Sequence, residues 1–156
     1  ELVLRFSGAD DVSVALFEVL ADALDRLAAA QDALAMEATL SGAWRLVAEL
    51  GFAPTIDTCA ACHAAIDSVG DLPFSHTAGG VLCERCSRLY PGGRKLPAAA
   101  RHAIAEWSQG RRLEECDARD ARAHQRLLRE FLQQHLADGR PLRAFDAWEQ
   151  GALVAR

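Results

Sequence analysis

Two Cys-x-x-Cys pairs, Cys59-Ala60-Ala61-Cys62 and Cys83-Glu84-Arg85-Cys86, with twenty residues between them, constrain this chain more than any other feature. Each pair bends so that two thiolates face one point, and two pairs at this separation have the ligand pattern of a four-cysteine zinc site. Four thiolates complete a tetrahedron and leave no open position, so such a site stabilises a fold and does not activate water. From Thr55 to Pro91 the helical period disappears, and Gly70, Pro73, Gly79 and Gly80 mark turns around short apolar pieces near Phe74 and Val81-Leu82. The segment reads as a metal-pinned ribbon or knuckle. It is too poor in apolar residues to hold itself together, so the metal is expected to supply part of its folding free energy.

Other uses of the cysteines fit less well. Cys62 is followed by His63, and Cys-Ala-Ala-Cys-His is literally the attachment pattern of a c-type haem. Haem would leave Cys83 and Cys86 without a purpose and normally needs an exported protein. A thioredoxin-like centre needs its Cys-x-x-Cys at the end of a strand in a βαβ unit, which this sequence lacks. His63 and His76 are alternative fourth ligands, but both read better as exposed loop residues. Paired cysteines with only Cys116 left over suit metal binding in a reducing compartment, so the expected location is the cytoplasm. Acidic neighbours Glu114, Glu115 and Asp117 make Cys116 a poor nucleophile.

The rest of the chain is helical in pattern. Val12, Leu16, Val19, Leu20, Leu24 and Leu27 form a stripe at helical spacing over about 12–30, with Asp10 and Asp11 as capping residues. A second run carries Leu34, Leu40, Trp44, Val47 and Leu50 and stops at Gly51, where a left-handed cap is expected. After the Pro91-Gly92-Gly93 turn, Pro97 opens a short helix through Ile104 and Trp107 to Gly110, and a longer one follows over about 117–137. Leu142, Phe145 and Trp148 mark the last. The expected fold is mainly α: one domain over 1–156, about five helices, with a four-cysteine insert at about 55–91. With 51% apolar residues, 156 residues suffice for one such core, and Trp44, Trp107 and Trp148 fall on apolar stripes inside it. His102, His124 and His135 lie on helices without a matched nucleophile or carboxylate pattern and read as structural. The start at Glu1, directly into Leu2, Val3, Leu4 and Phe6, reads as a fragment of something longer.

No run of about 18 apolar residues is present, so no membrane partner is expected. The net charge of −5 argues against a domain devoted to phosphate neutralisation, yet the distribution is uneven. Residues 1–50 hold nine acids and three bases, whereas 85–112 hold seven bases, Arg85, Arg88, Arg94, Lys95, Arg101, Arg111 and Arg112, against Glu106 alone. Arg85, Arg88, Arg94 and Lys95 are the candidate phosphate contacts. A solvated charged face is the alternative reading of the same run.

The order of features resembles a known family. Leu16-Phe17 lies in a first amphipathic helix, and Glu49-Leu50-Gly51-Phe52-Ala53-Pro54 runs into the first cysteine pair. Gly79-Gly80-Val81-Leu82 precedes the second pair, and Leu128-x-x-Phe131-Leu132-x-x-His135-Leu136 precedes Arg140-Pro141-Leu142-Arg143. Together these are similar to the C-terminal region of the bacterial recombination mediator RecO, over nearly the whole chain. Two departures stand out: the oligonucleotide-binding β-barrel that opens that family is absent from this chain, and Ala144 replaces an expected serine. The resemblance implies a non-catalytic DNA repair protein, associated with the nucleoid. Such a protein displaces single-strand-binding protein, anneals strands and loads the recombinase with the partner RecR. It also implies that the acidic, phenylalanine-ended tail of single-strand-binding protein docks on the helices, with Leu16 and Phe17 in the pocket and Arg26 or Arg45 receiving a carboxylate. The alternative is a helical protein-interaction adaptor with a structural zinc site and no DNA affinity. No phosphate loop, nucleophile elbow or His-Glu-x-x-His motif speaks for an enzyme.

Overall fold

The computed structural model describes residues 1–6, 13–67, 69–113, 118–135 and 142–149. Asp10, Asp11, Cys116 and the tail segment from Leu136 to Pro141 lie outside the described residues. The elements run α1 (Leu2–Phe6), α2 (Val14–Ala29), α3 (Asp32–Glu49), β1 (Leu72–Ser75), β2 (Gly80–Val81), α4 (Glu84–Ser87), β3 (Arg94–Leu96), α5 (Ala98–Ser108), α6 (Ala118–His135) and α7 (Arg143–Glu149). The mainly helical fold is the expected one. Five helices match the five apolar stripes, whereas α1 and α4 span about one turn each, too short for a period to register.

Among the described residues the cap of α2 is Ser13, whose hydroxyl accepts the Leu16 N–H at 3.1 Å. Only Ala30 and Gln31 separate α2 from α3, so the two pack as an antiparallel hairpin. Their axes come close at Gly42, where a Cβ would lie 2.9 Å from the Ala23 Cβ. The end of α3 is the cap expected from Gly51: its φ is +83°, its N–H bonds the Ala48 carbonyl at 3.0 Å, and the Phe52 N–H bonds the Val47 carbonyl at 2.9 Å. This double-bonded end turns the chain off the helix and toward Cys59.

The segment after α3 builds a three-stranded antiparallel sheet in the order β2-β1-β3, with Phe74 opposite Val81 on one side and opposite Arg94 on the other. The β3 strand was not foreseen. Three residues between Gly92-Gly93 and Pro97 are too few to show alternation, and the pairing partner lies twenty residues upstream.

The sheet is not an appendage. Leu72, Phe74, Val81 and Leu96 enter the same buried cluster as Leu40, Trp44 and Val47 of α3, Ile104 and Trp107 of α5, and Leu128, Phe131 and Leu132 of α6. Phe131 lies at its centre, with its ring 5.9 Å from Trp44 and 6.3 Å from Phe74. Trp44 and Trp107 are fully buried, as their stripes imply, and Trp148 is half-buried.

Two polar residues enter this core and meet other elements there, Glu37 Oε2 and His124 Nδ1 being buried without a hydrogen bond. Glu37 of α3, buried, accepts the Trp107 indole N–H at 3.1 Å and the Leu113 N–H at 3.3 Å, with the Arg112 guanidinium at 3.8 Å. His124 of α6 stands edge-on to Trp107, centroids 4.7 Å apart. Burial lowers the His124 pKa to about 4, against the opposing pull of Asp120. The unfolded chain therefore binds this proton first as pH falls. The contribution of neutral His124 to stability is complete above its ordinary pKa of 6.5 and is lost on descending toward about 4. Urea unfolding as a function of pH should show this loss, with a slope of up to about 1.4 kcal/mol per pH unit from this group. His124→Gln should flatten the profile between those limits relative to the parent chain.

Candidate metal centre

The two knuckles are placed by backbone hydrogen bonds to the sheet. Thr55 forms a parallel bridge with Gly80: its N–H bonds the Gly79 carbonyl at 2.9 Å, and its carbonyl accepts from Val81 N–H at 2.8 Å. A Cβ on Gly80 would lie 2.1 Å from that Thr55 carbonyl oxygen, which explains the Gly-Gly that precedes the second pair. The first knuckle closes on itself through Cys59 N–H to Ala64 O and His63 N–H to Cys59 O, both 2.8 Å, with His63 at φ 60°. It is tied to β2 by Ala60 N–H to Val81 O at 2.8 Å. The second knuckle follows β2 directly. Leu82 N–H bonds the Pro73 carbonyl at 2.8 Å, Cys83 caps α4, and the first turn of that helix carries Cys86 to the same side.

The four sulfurs converge. All lie within 4.8 Å of one another, Cys59 and Cys86 buried and Cys62 and Cys83 partly so. The Cys62 and Cys83 sulfurs are 3.9 Å apart. A tetrahedral ion with metal–sulfur bonds of about 2.3 Å has sulfur–sulfur edges of about 3.8 Å, so the donor set fits such an ion in number, chemistry and spacing. Leu82, Ile66, Ala78 and Tyr90 pack around the cluster and shield it.

The thiols are electrostatically unequal. Burial would raise Cys59, but the N–H groups of Cys83, Ala61 and Cys62 together with the Cys62 thiol lower it to about 6. Cys86 is pushed up to about 12, first by its hydrogen bond to Cys83, then by burial and by the remaining sulfurs, the Cys59 charge included. The Cys59 anion forms readily here and that of Cys86 is opposed, and a cation among the sulfurs removes that opposition. Neither alternative histidine ligand joins the cluster. His63 is exposed, and the His76 Nε2 lies 3.1 Å from a Glu130 carboxylate oxygen on α6. The His135 ring meets the His76 carbonyl at 2.6 Å, so α6 holds the tip of the β1-β2 hairpin from outside.

The remaining candidates are scattered. Arg85 and Arg88 project from α4, with Arg88 bonded to Glu84 at 2.7 Å. Arg94 and Lys95 are exposed on the edge strand β3, where Arg94 pairs with Glu130 at 3.0 Å. Leu16 is buried against Val19 and Leu46, whereas Phe17 beside it is 70% exposed. Nine residues, about two and a half turns, separate Phe17 from Arg26 and set them on opposite sides of α2. Arg26 and Arg45 instead converge on Asp22, at 3.0 and 3.6 Å, and Arg26 also donates to the Gly110 carbonyl at 3.2 Å. The sequence reading missed Arg119, Arg122, Arg126 and Arg129 of α6, which line an open groove of about 1130 Å³. Their spacing at one helical face was the available signal.

Comparison with known proteins points to one family. The family model described as "Recombination protein O C terminal" matches residues 1–144. A DNA repair protein RecO from Rubrobacter xylanophilus is 34% identical over 117 residues, covering 69% of this chain and 46% of that protein. One from a Synechococcus strain is 32% identical over 87 residues, covering 55% of this chain and 30% of that protein. The chain thus spans less than half the length of either curated relative, and no solved structure matches it. Among the described residues, no helix is long and apolar enough to cross a membrane.

Loading the chain with cobalt(II) should give one ion per molecule and the absorption of a tetrahedral four-thiolate site. Cys59→Ser should shift that spectrum and weaken binding by at least about tenfold. A spectrum with nitrogen or water ligands in the parent chain would overturn the four-sulfur assignment.

Proposed function

The chain belongs to the family of recombination protein O C-terminal regions, and on that premise we propose that it is the C-terminal part of a non-catalytic mediator of DNA repair and homologous recombination. The family match over residues 1–144 is the observation that carries this reading. Zinc is the ion we assign to Cys59, Cys62, Cys83 and Cys86, because four thiolates at tetrahedral spacing are its usual structural ligand set. Its role is mechanical: with every position taken by protein sulfur it holds the hairpin, and no substrate reaches it. The protein works in the cytoplasm at the nucleoid. It helps to displace single-strand-binding protein, to anneal strands and, with RecR, to load the recombinase.

The docking face for the acidic, phenylalanine-ended tail of single-strand-binding protein is the outer side of α2. Val14, Phe17 and Leu24 are 64%, 70% and 57% exposed and fall within one helical face, an apolar stripe of the kind that receives a short peptide anchor. Leu16 supports that face from beneath, and Arg26 and Arg45 act through the hairpin geometry they hold around Asp22. Arg94 and Lys95 contribute to single-stranded DNA contact from the sheet edge, and Arg85 and Arg88 from the second knuckle.

The adaptor reading draws support from a different observation: Arg88 and Arg94 already have carboxylate partners, and the chain carries net charge −5. Binding of a fluorescent acidic tail peptide, and of RecR, by the zinc-loaded chain separates the two. The mediator reading requires both to bind and Phe17→Ala to weaken peptide binding by about tenfold or more, the loss typical of a central aromatic anchor. Folded, zinc-loaded protein that binds neither would leave only the adaptor.

A further inference from the structure

Four arginines at positions 119, 122, 126 and 129 repeat at the three- and four-residue spacing that puts side chains on one face of a helix. The opposite face of α6 is committed to the core through Leu128, Phe131 and Leu132, so the arginines look outward. They line the groove between α6 and α7, about 1130 Å³ and open to solvent, and their run along the axis covers about 15 Å. Arg129 is already neutralised by Asp146 at 3.3 Å and by Glu149. Arg122 and Arg126 are exposed, and among the described residues neither has an acidic partner.

Two further observations extend this surface. Arg126 also borders a second cavity, of about 290 Å³, whose far wall carries Arg94 and Lys95 of β3. That second cavity is mainly apolar, and Arg126 is the lining residue it shares with the large groove, so Arg94 and Lys95 extend the cationic surface toward the sheet edge. The acids along it are few: Glu130 is taken up by Arg94 and faces His76, Glu149 by Arg129, and Asp120 stands on the rim. The large groove also contains one aromatic wall, the half-buried indole of Trp148, packed at 5.5 Å on Phe145.

We infer that this groove binds single-stranded nucleic acid, with Arg119, Arg122 and Arg126 on successive phosphates and Trp148 stacking on a base. The inference rests on the DNA-repair reading and locates its main phosphate surface on α6 rather than on the metal-bearing knuckles. Guanidinium forks in a row match a repeating phosphate chain, and an aromatic face beside them accepts any base. An apolar peptide anchor fits poorly, because among the described residues Met36 and Trp148 are the only apolar ones in the groove lining.

The test uses the zinc-loaded chain and a fluorescent oligothymidylate, titrated across salt concentrations. Arg122→Glu with Arg126→Glu should lower affinity by more than about tenfold and reduce the slope of log K against log salt by about 1.4, the share of two phosphate contacts on a single strand. Both residues are exposed, so zinc content and helicity should be unchanged; Arg122→Gln with Arg126→Gln gives the same comparison without charge reversal. Trp44 and Trp107 are 0% exposed, so quenching of tryptophan emission by the oligonucleotide should come from Trp148 and vanish in Trp148→Phe. Unchanged affinity and slope in both double variants would overturn the inference while leaving the mediator reading intact, provided the acidic tail peptide still binds. Loss of peptide binding rather than oligonucleotide binding in those variants would assign the groove to a protein partner instead. Failure of the parent chain to bind the oligonucleotide at low salt would overturn the inference, and failure to bind the peptide as well would overturn both.

Discussion

Four cysteine sulfurs within 4.8 Å of one another are poorly matched as neighbours unless a cation sits among them. The amide groups around Cys59 favour its ionisation, whereas Cys86 is held at about 12 by its hydrogen bond to Cys83, by burial and, last, by the Cys59 charge. A bound divalent ion turns the repulsion into cohesion, and the effect spreads through backbone bonds. The first knuckle is held to β2 through Ala60 and Val81, and Leu82 is held to β1 through Pro73. The paired strands then bring Phe74 and Val81 into the cluster around Phe131 and Trp44. A metal held by these sulfurs would act on the main core at one remove, through a hairpin that supplies part of that core's wall.

Most of this was legible in the residues because it rests on local rules. The cysteine spacing, the Gly51 cap and the apolar stripes of α2, α3, α5, α6 and α7 are all determined within a few positions of chain. What could not be read depends on distant partners. Three residues of β3 become a strand only because β1 offers its edge, and Glu37 enters the core only because Trp107 and Leu113 supply donors seventy or more residues away. Arg26 and Arg45 were read as ligands for a partner's carboxylate, yet Asp22 lies beside both. The helical arithmetic that separates Phe17 from Arg26 was available in the sequence, as was the arginine period of α6. The density of basic residues near the second cysteine pair masks that period.

The arrangement separates surfaces by charge and polarity. The hairpin of α2 and α3 turns an apolar stripe outward on α2, and α3 packs against both α2 and α6. The basic face of α6 lies on the other side of that packing, beside α7 and the edge strand β3. A chain with net charge −5 can therefore still present a cationic surface, because residues 1–50 hold nine acids against three bases and so account for that excess. The Glu130 carboxylate, shared between Arg94 and His76, ties that surface to the hairpin that the sulfurs hold. Removing the ion would thereby disturb the placement of Arg94 and Lys95.

The central claim, that the four-sulfur centre holds a hairpin which completes the helical core, is tested most directly by amide hydrogen exchange with the metal bound and after chelation. The account requires the amides of Ala60, Val81 and Leu82 to lose protection first on metal removal, those of β1 to follow, and those of α2 and α3 to be least affected. Equal protection of Val81 and Leu82 with and without metal would contradict it, since the hairpin would then be held by the core alone.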